Sequence, residues 1–115
     1  MVVDDEHSVR KLCEQILIRS GFRVRAAADV REAMDHIEQS LPDLVLSDVT
    51  MPGLSGTRLG SWMKQNPATS HIPLILMSGH FQGDEHQVAV ATLEKPFRPP
   101  QLIGAISNAL ENIPC

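Results

Sequence analysis

Short apolar runs that alternate with helix-like segments are the feature of this sequence that most constrains its fold. Five runs have the length and composition of β-strands, and they occupy positions 1–3, 22–27, 43–48, 72–78 and 88–94. The runs in the middle of the chain are continuously apolar, as expected of strands covered on both faces. Strands that alternate with helices predict right-handed crossovers and a parallel sheet. The sequence therefore predicts an α/β fold with a doubly wound, five-stranded parallel sheet and helices on both faces.

The segments that separate or follow these runs carry the periodicity and the end signals of helices. Apolar residues recur at helical spacing in segments that begin near Ser8, Asp29 and Ser55, and again over 100–112. The carboxylate of Asp29 is placed to cap the second helix, and Gly21 is placed to end the first. These signals predict helices between the strands and a last helix after the fifth strand.

Composition and charge argue against several classes of function. The chain has 115 residues and is predicted to form a single domain, 1–115. Its formal net charge is −4 without a basic stripe, so direct nucleic-acid binding is not expected. It has no apolar run long enough to cross a bilayer and no leader sequence, so we expect no membrane insertion and a cytoplasmic location. Cys13 lies on an apolar helical stripe and Cys115 is the last residue, so no disulfide is expected.

Polar side chains follow the predicted strands at their carboxyl ends. Asp4 and Asp5 follow the first strand, Asp48 ends the third, Ser78 ends the fourth and Lys95 follows the fifth. In a doubly wound sheet, ligands bind beyond the carboxyl ends of the strands. Carboxylates that crowd together repel one another, and a divalent cation with oxygen ligands, such as Mg²⁺, relieves that repulsion. Taken singly, each residue also has an ordinary structural role, as a helix cap, a turn or a solvated side chain.

Four motifs on these strand ends resemble those of a known family. "VVDDE", "LVLSDVTMPGLSG", "LILMSG" and "LEKPF" resemble the response-regulator receiver domain of two-component signalling. The resemblance extends over essentially the whole chain, and the motifs stand in the family's order. It implies a flavodoxin-like sheet with strand order 2-1-3-4-5.

The resemblance implies a role for each residue at this edge. Asp48 would be the phosphoacceptor. Asp5 and Asp48 would hold Mg²⁺, with Asp4 contributing directly or through water and the backbone carbonyl of Thr50 completing the protein ligands. An aspartate carboxylate can attack phosphorus directly and form an acyl phosphate.

Two further residues would contact the phosphoryl group. Ser78 would donate a hydrogen bond to it, and Lys95 would contact both it and Asp48. Pro96 follows Lys95, as in the family, where this peptide bond is usually cis. The phosphoryl group would come from a phosphohistidine of a sensor histidine kinase or of a histidine phosphotransfer protein. The same site would later remove it by hydrolysis.

The sequence departs from the family in the last third of the chain. Receivers usually carry Tyr or Phe at the position of Thr92, which leaves Phe81 and Phe97 as candidates for that part. The segment between Ser78 and Lys95 is also shorter than usual, and "GHFQGDEHQ" predicts a loop with one short helix from Asp84. We therefore expect the family's fourth helix to be short or displaced.

The sequence leaves several alternatives open. A haloacid-dehalogenase-type phosphatase would need an aspartate where Thr50 stands, so catalysis on external substrates is not expected. A divergent receiver could act as a phosphorylation-independent binding module, and a weak homodimer also stays open. His80 is either a modulator of dephosphorylation or a solvated loop histidine. No output domain is evident, so we expect a single-domain regulator or the receiver module of a larger regulator or hybrid kinase.

Overall fold

A five-stranded parallel sheet forms the centre of the molecule. The computed structural model describes residues 1–51, 53–81, 83 and 85–111, without the side chain of His86. The strands are β1 (Val2–Val3), β2 (Ala26–Ala27), β3 (Val45–Asp48), β4 (Leu74–Ser78) and β5 (Ala91–Glu94). Every neighbouring pair is parallel, and the order is β2-β1-β3-β4-β5. The predicted fold class and the strand order implied by the resemblance are confirmed.

In the described part of the chain, four α-helices connect or follow the strands. They are α1 (His7–Arg19), α2 (Val30–Gln39), α3 (Gly56–Gln65) and α4 (Pro99–Glu111). The predicted caps are confirmed, because the Asp29 carboxylate accepts a 2.8 Å bond from the Glu32 amide and Gly21 has a φ of 94°. The predicted helix start at Asp84, the predicted end at Asn112 and the terminal Cys115 lie outside the described residues.

All five strands begin later than the sequence predicts, and for three of them the structure shows the physical reason. β2 covers only the end of the predicted 22–27 run, because it is an edge strand and its partner β1 pairs through Val2 and Val3. β5 begins at Ala91, not at 88, because the amides of Val88 and Ala89 donate to the Glu85 carbonyl in a turn. β4 begins after Pro73, which has no amide hydrogen for the ladder.

The sheet separates two apolar clusters, because successive side chains of a strand point to opposite faces. One cluster joins β3 and β4 to α2 and α3, through residues such as Ile37, Leu59 and Leu76. The other joins the sheet to α1 and α4, through residues such as Leu17 and Leu102. Burial of each such side chain contributes about 1.5–3 kcal/mol to stability. The two clusters fix the sheet between its helical layers and so fix the strand ends.

The connection from β4 to β5 is reduced, as the sequence predicts. Its described part contains a single 3₁₀ turn, Glu85–Gln87, in place of an α-helix. Val88 packs directly on α3, where a Cβ added to Gly60 would lie 2.7 Å from the Val88 Cγ2 atom. Beside this contact lies a groove of about 500 Å³ whose lining includes Met63 and Val90. Within the described residues, no helix is long and apolar enough to span a membrane.

Candidate functional site

Parallel strands bring their carboxyl ends to one edge of the sheet, and the acidic residues gather there. Asp4 and Asp5 come directly after β1, and Asp48 is the last residue of β3. One carboxylate oxygen from each of the three lies within 4.8 Å of the others. Asp4 is fully buried and Asp48 is 6% exposed, whereas Asp5 is exposed. Three hard oxygen donors this close together suit Mg²⁺, so these residues fit the ion.

Lys95 bridges two of these carboxylates. Its Nζ atom lies 3.1 Å from Asp4 Oδ2 and 3.3 Å from Asp48 Oδ1. Burial alone would lower the pKa of Lys95, but the hydrogen bond to Asp4 and the charges of Asp4 and Asp48 raise it. The lysine is therefore a cation that the two buried carboxylates hold in place.

Asp48 lies under opposing electrostatic influences. Burial raises the pKa of its carboxyl group above the usual value, and the charges of Asp4 and Asp5 act in the same direction. The charge and hydrogen bond of Lys95 act against them. The bridging ammonium thus favours the ionised, nucleophilic form of this carboxylate, against the effects of burial and of the neighbouring acids.

The main chain around Asp48 is held by contacts that the sequence analysis did not single out. Ser47 Oγ donates a 2.9 Å bond to the Asp48 carbonyl, and the Gly56 amide donates a 2.9 Å bond to the Val49 carbonyl. A Cβ at position 56 would overlap the Asp48 carbonyl oxygen. A glycine at the start of a helix that follows a strand–turn motif is the signal that could have identified this close approach.

Asp4 has a partner for each of its polar atoms. Its Oδ1 accepts a 2.9 Å bond from the Glu6 amide, and its Oδ2 accepts one from Lys95. Its own amide donates to the Ala27 carbonyl, and its carbonyl accepts a 2.7 Å bond from Arg10 Nη1. Arg10 was also missed, because a bond from a helix back to the preceding strand end has no fixed sequence signature.

Ser78 and Lys95 are joined through the main chain. The Lys95 amide donates a 2.8 Å bond to the Ser78 carbonyl, and the Lys95–Pro96 peptide bond is cis. The Ser78 hydroxyl bonds within its own turn, to the carbonyl of His80 at 2.8 Å and to the amide of His80 at 3.0 Å. The structure therefore places Ser78 at the edge of the site, with its hydroxyl bonded to the following loop.

Other residues that the sequence singled out lie around the site or away from it. Thr50 is exposed, and the role of its carbonyl stays a prediction. The side chain of Thr92 is half-buried in β5. Phe81 packs against the cluster of α2 and α3, and Phe97 packs against the cluster of α1 and α4. The two aromatic residues therefore lie on opposite faces of the sheet.

Comparisons of the sequence with known proteins agree with this geometry. The model of the response regulator receiver domain, which describes no enzyme family, matches residues 1–107. The chain is 30% identical over 115 residues to the polar-differentiation response regulator DivK of Brucella anthropi, covering 96% of this chain and 94% of DivK. It is also 30% identical over 112 residues to protein Rrf1 of Nitratidesulfovibrio vulgaris, covering 96% of this chain and 80% of Rrf1.

Solved structures show the same similarity. The chemotaxis protein CheY4 of Vibrio cholerae superposes with a TM-score of 0.89 at 27% identity, and the match covers 95% of both chains. The receiver domain of NtrX from Brucella abortus gives a TM-score of 0.88 at 32% identity, covering 96% of this chain and 97% of that one. An acidic triad such as that of Asp4, Asp5 and Asp48 is typical of the Mg²⁺ site of receivers. The chain belongs to the response regulator receiver domain family.

Proposed function

We propose that this receiver is a phosphorelay switch that accepts a phosphoryl group on Asp48. The observation that carries the proposal is the placement of the Asp48 carboxylate, which lies beside Asp4 and Asp5 and 3.3 Å from the Lys95 ammonium. A carboxylate in this position is a nucleophile whose surroundings can neutralise the charge of an incoming phosphoryl group.

Receiver domains interact with histidine kinases, and the phosphohistidine of such a kinase or of a histidine phosphotransfer protein is the donor that we propose. An Asp48 carboxylate oxygen attacks phosphorus and forms an O–P bond. The P–N bond to the imidazole breaks, and its electron pair stays on the leaving nitrogen. The product is an acyl phosphate, which water can later hydrolyse to return the carboxylate.

The residues of this chain position and neutralise the transferred group. Asp5 and Asp48 would hold Mg²⁺, with Asp4 acting directly or through water and the Thr50 carbonyl as a further ligand. The bound ion would supply positive charge to the phosphoryl oxygens. Lys95, already held between two carboxylates, would contact the same group. Ser78 would donate its hydroxyl to the phosphoryl group, which requires release of its bond to the His80 carbonyl.

Incubation with Mg²⁺ and acetyl phosphate, followed by intact mass measurement, tests the proposal. We expect a single phosphoryl adduct on the wild-type chain and none on Asp48→Asn. Asp43→Asn is the matched control, because Asp43 is an exposed carboxylate just before the same strand, and this variant should keep the adduct.

Other results would contradict the proposal in distinguishable ways. An adduct that persists in Asp48→Asn would place the acceptor elsewhere. The absence of an adduct on the wild-type chain, with Mg²⁺ and donor present, would favour a phosphorylation-independent binding module. Sustained turnover of unrelated phosphate esters would favour an aspartate-nucleophile phosphatase.

A further inference from the structure

Arg10 makes a contact with the site that the proposed chemistry does not use. Its side chain extends from the first turns of α1 back to the end of β1, where Nη1 donates a 2.7 Å bond to the Asp4 carbonyl. Its Nη2 lies 3.1 Å from His7 Nδ1. The arginine is half-buried, and its contacts at Nη1 and Nη2 hold the guanidinium beside the acidic edge of the sheet.

The Asp4 carbonyl is the oxygen of the peptide unit that leads to Asp5. That unit is planar, so a donor that fixes its oxygen also restricts the direction in which the chain enters Asp5. The Asp4 carboxylate needs no such help, because the Glu6 amide and Lys95 already hold its two oxygens. Among the described residues, none donates a hydrogen bond to the Asp5 carboxylate or forms an ion pair with it. The position of Asp5 therefore depends on its main chain.

We propose that Arg10 is a positioning residue for Mg²⁺ binding, which it strengthens by holding the Asp4 carbonyl and so the main chain at Asp5. The inference rests on the proposed function, because it assumes that Asp5 is a ligand of the ion. Arg10 itself does not contact the ion or the phosphoryl group in this scheme. It acts through the peptide between the two aspartates.

The charge of Arg10 and its hydrogen bond to the Asp4 carbonyl predict opposite changes in cation affinity when the residue is replaced. The guanidinium is a cation bonded to the main chain beside the acidic residues, so its removal would strengthen the binding of any divalent cation by electrostatics alone. Loss of the bond to the Asp4 carbonyl would instead weaken binding. The effect should be larger for Mg²⁺, which demands near-ideal octahedral geometry, than for Ca²⁺, which accepts flexible geometry.

Calorimetric titration of the full chain with Mg²⁺ and with Ca²⁺ tests the proposal. The variant is Arg10→Met, which keeps much of the aliphatic packing and the helix propensity but has no donor. Arg19→Met is the matched control, because Arg19 is an exposed arginine on the same helix. Thermal melts in chelator check that each variant is folded, and Arg10→Lys, which keeps a cationic donor, is the second variant.

We expect Arg10→Met to bind Mg²⁺ about tenfold more weakly than wild type, the lower end of the loss seen for outer-shell partners of metal sites. Its Ca²⁺ affinity should fall less, Arg19→Met should bind both ions like wild type, and Arg10→Lys should bind Mg²⁺ more tightly than Arg10→Met. Unchanged or tighter Mg²⁺ binding in Arg10→Met would overturn the inference, as would equal losses for the two ions.

The same titrations separate this inference from the proposed function. A wild-type chain that binds no Mg²⁺ and gains no adduct on Asp48 would overturn both. A wild-type chain that binds Mg²⁺ and is phosphorylated on Asp48, beside an Arg10→Met variant with wild-type affinity, would overturn only the role of Arg10.

Discussion

Two glycines one turn apart on α3 support two regions of the molecule that differ in how much change they tolerate. Gly56 lies against the main-chain carbonyl of Asp48, at the end of β3. Gly60 lies against the side chains of Leu74 and Val88, beneath the reduced β4–β5 connection. The first contact is with backbone inside a sheet, which cannot move without disturbing the site. The second is with the side chains of Leu74 and Val88. Leu74 Cδ2 is the end of a flexible side chain, and Val88 Cβ moves with the main chain of the short connection.

The β4–β5 connection compensates for its short length through this second contact. In its described part the connection has one 3₁₀ turn, and the Gly83 amide is held by a 2.8 Å bond to Glu85 Oε1. Because residue 60 has no side chain, Val88 of the connection can pack directly on α3. The comparison indicates that α3 carries a rigid support for the chemistry and an adaptable support for the connection.

Replacement of Gly56 by Ala should give the largest effect. The added methyl group meets the Asp48 carbonyl, and we expect a loss of about 3 kcal/mol in the free energy of unfolding, the upper end of the range for overpacking. Urea denaturation measures the loss, and the rate of adduct formation should fall with it. Gly104→Ala is the control, because nothing lies within 4 Å of a Cβ there. A Gly56→Ala variant as stable as wild type would show that β3 can shift.

The sequence predicts the site edge well because strand ends, turns and charged residues are local features. Asp4, Asp5 and Asp48 come together as soon as the strands are parallel and in the right order. The resemblance implies the contact of Lys95 with Asp48, but the contact of Lys95 with Asp4 could not be predicted, because it joins elements far apart in the chain. The bond from Arg10 to Asp4 spans only six positions, but it depends on how α1 packs at the end of β1. The close approach of Gly56 to the Asp48 carbonyl could not be predicted either, because it arises only when α3 packs against β3.

Cys13 tests how well the region beneath the site excludes water. Burial raises the pKa of its thiol to about 11 from an ordinary 9.0, with a smaller contribution from Asp4. The Cys13 thiol therefore stays protonated to a higher pH in the folded state than in the unfolded state. Stability is lost as the pH rises from about 9 to about 11. We expect this thiol to account for about 2 kcal/mol of that loss.

Urea denaturation between pH 8 and pH 11, in a Cys115→Ser background with reductant, measures this effect. The comparison is with Cys13→Ala, whose cavity cost does not depend on pH, so the difference between the two curves isolates the thiol. The wild-type Cys13 curve should fall more steeply with pH. Parallel curves would mean that water reaches Cys13 in the folded state.

The ends of the strands and the β4–β5 connection show where local patterns are insufficient. The run at 88–94 is apolar enough for a strand throughout, yet Val88 and Ala89 bond to Glu85 and pack against the cluster of α2 and α3. The residues at 22–25 have a strand-like pattern but lie beyond the short ladder that β1 provides. Contacts with neighbouring elements determine where β2 and β5 begin, and the local pattern of a single sequence does not show those contacts.

Replacement of Gly60 by Ala should give the smallest effect and shows whether the second support is adaptable. The new Cβ would lie 2.7 Å from both Leu74 Cδ2 and Val88 Cγ2, so these side chains must move. Overpacking of this kind costs about 1–3 kcal/mol, and the better helix propensity of Ala returns up to about 1 kcal/mol, so we expect a net loss of about 1 kcal/mol in the free energy of unfolding.

A double-mutant cycle with Val88→Ala measures the coupling between positions 60 and 88, since the smaller side chain makes room for the new methyl group. The double variant should be more stable than the sum of the single effects predicts, by about 1 kcal/mol. Additive losses would instead mean that Val88 is not what opposes a side chain at position 60. The compensation inferred for the short β4–β5 connection, which rests on the packing of Val88 against Gly60, would then be wrong.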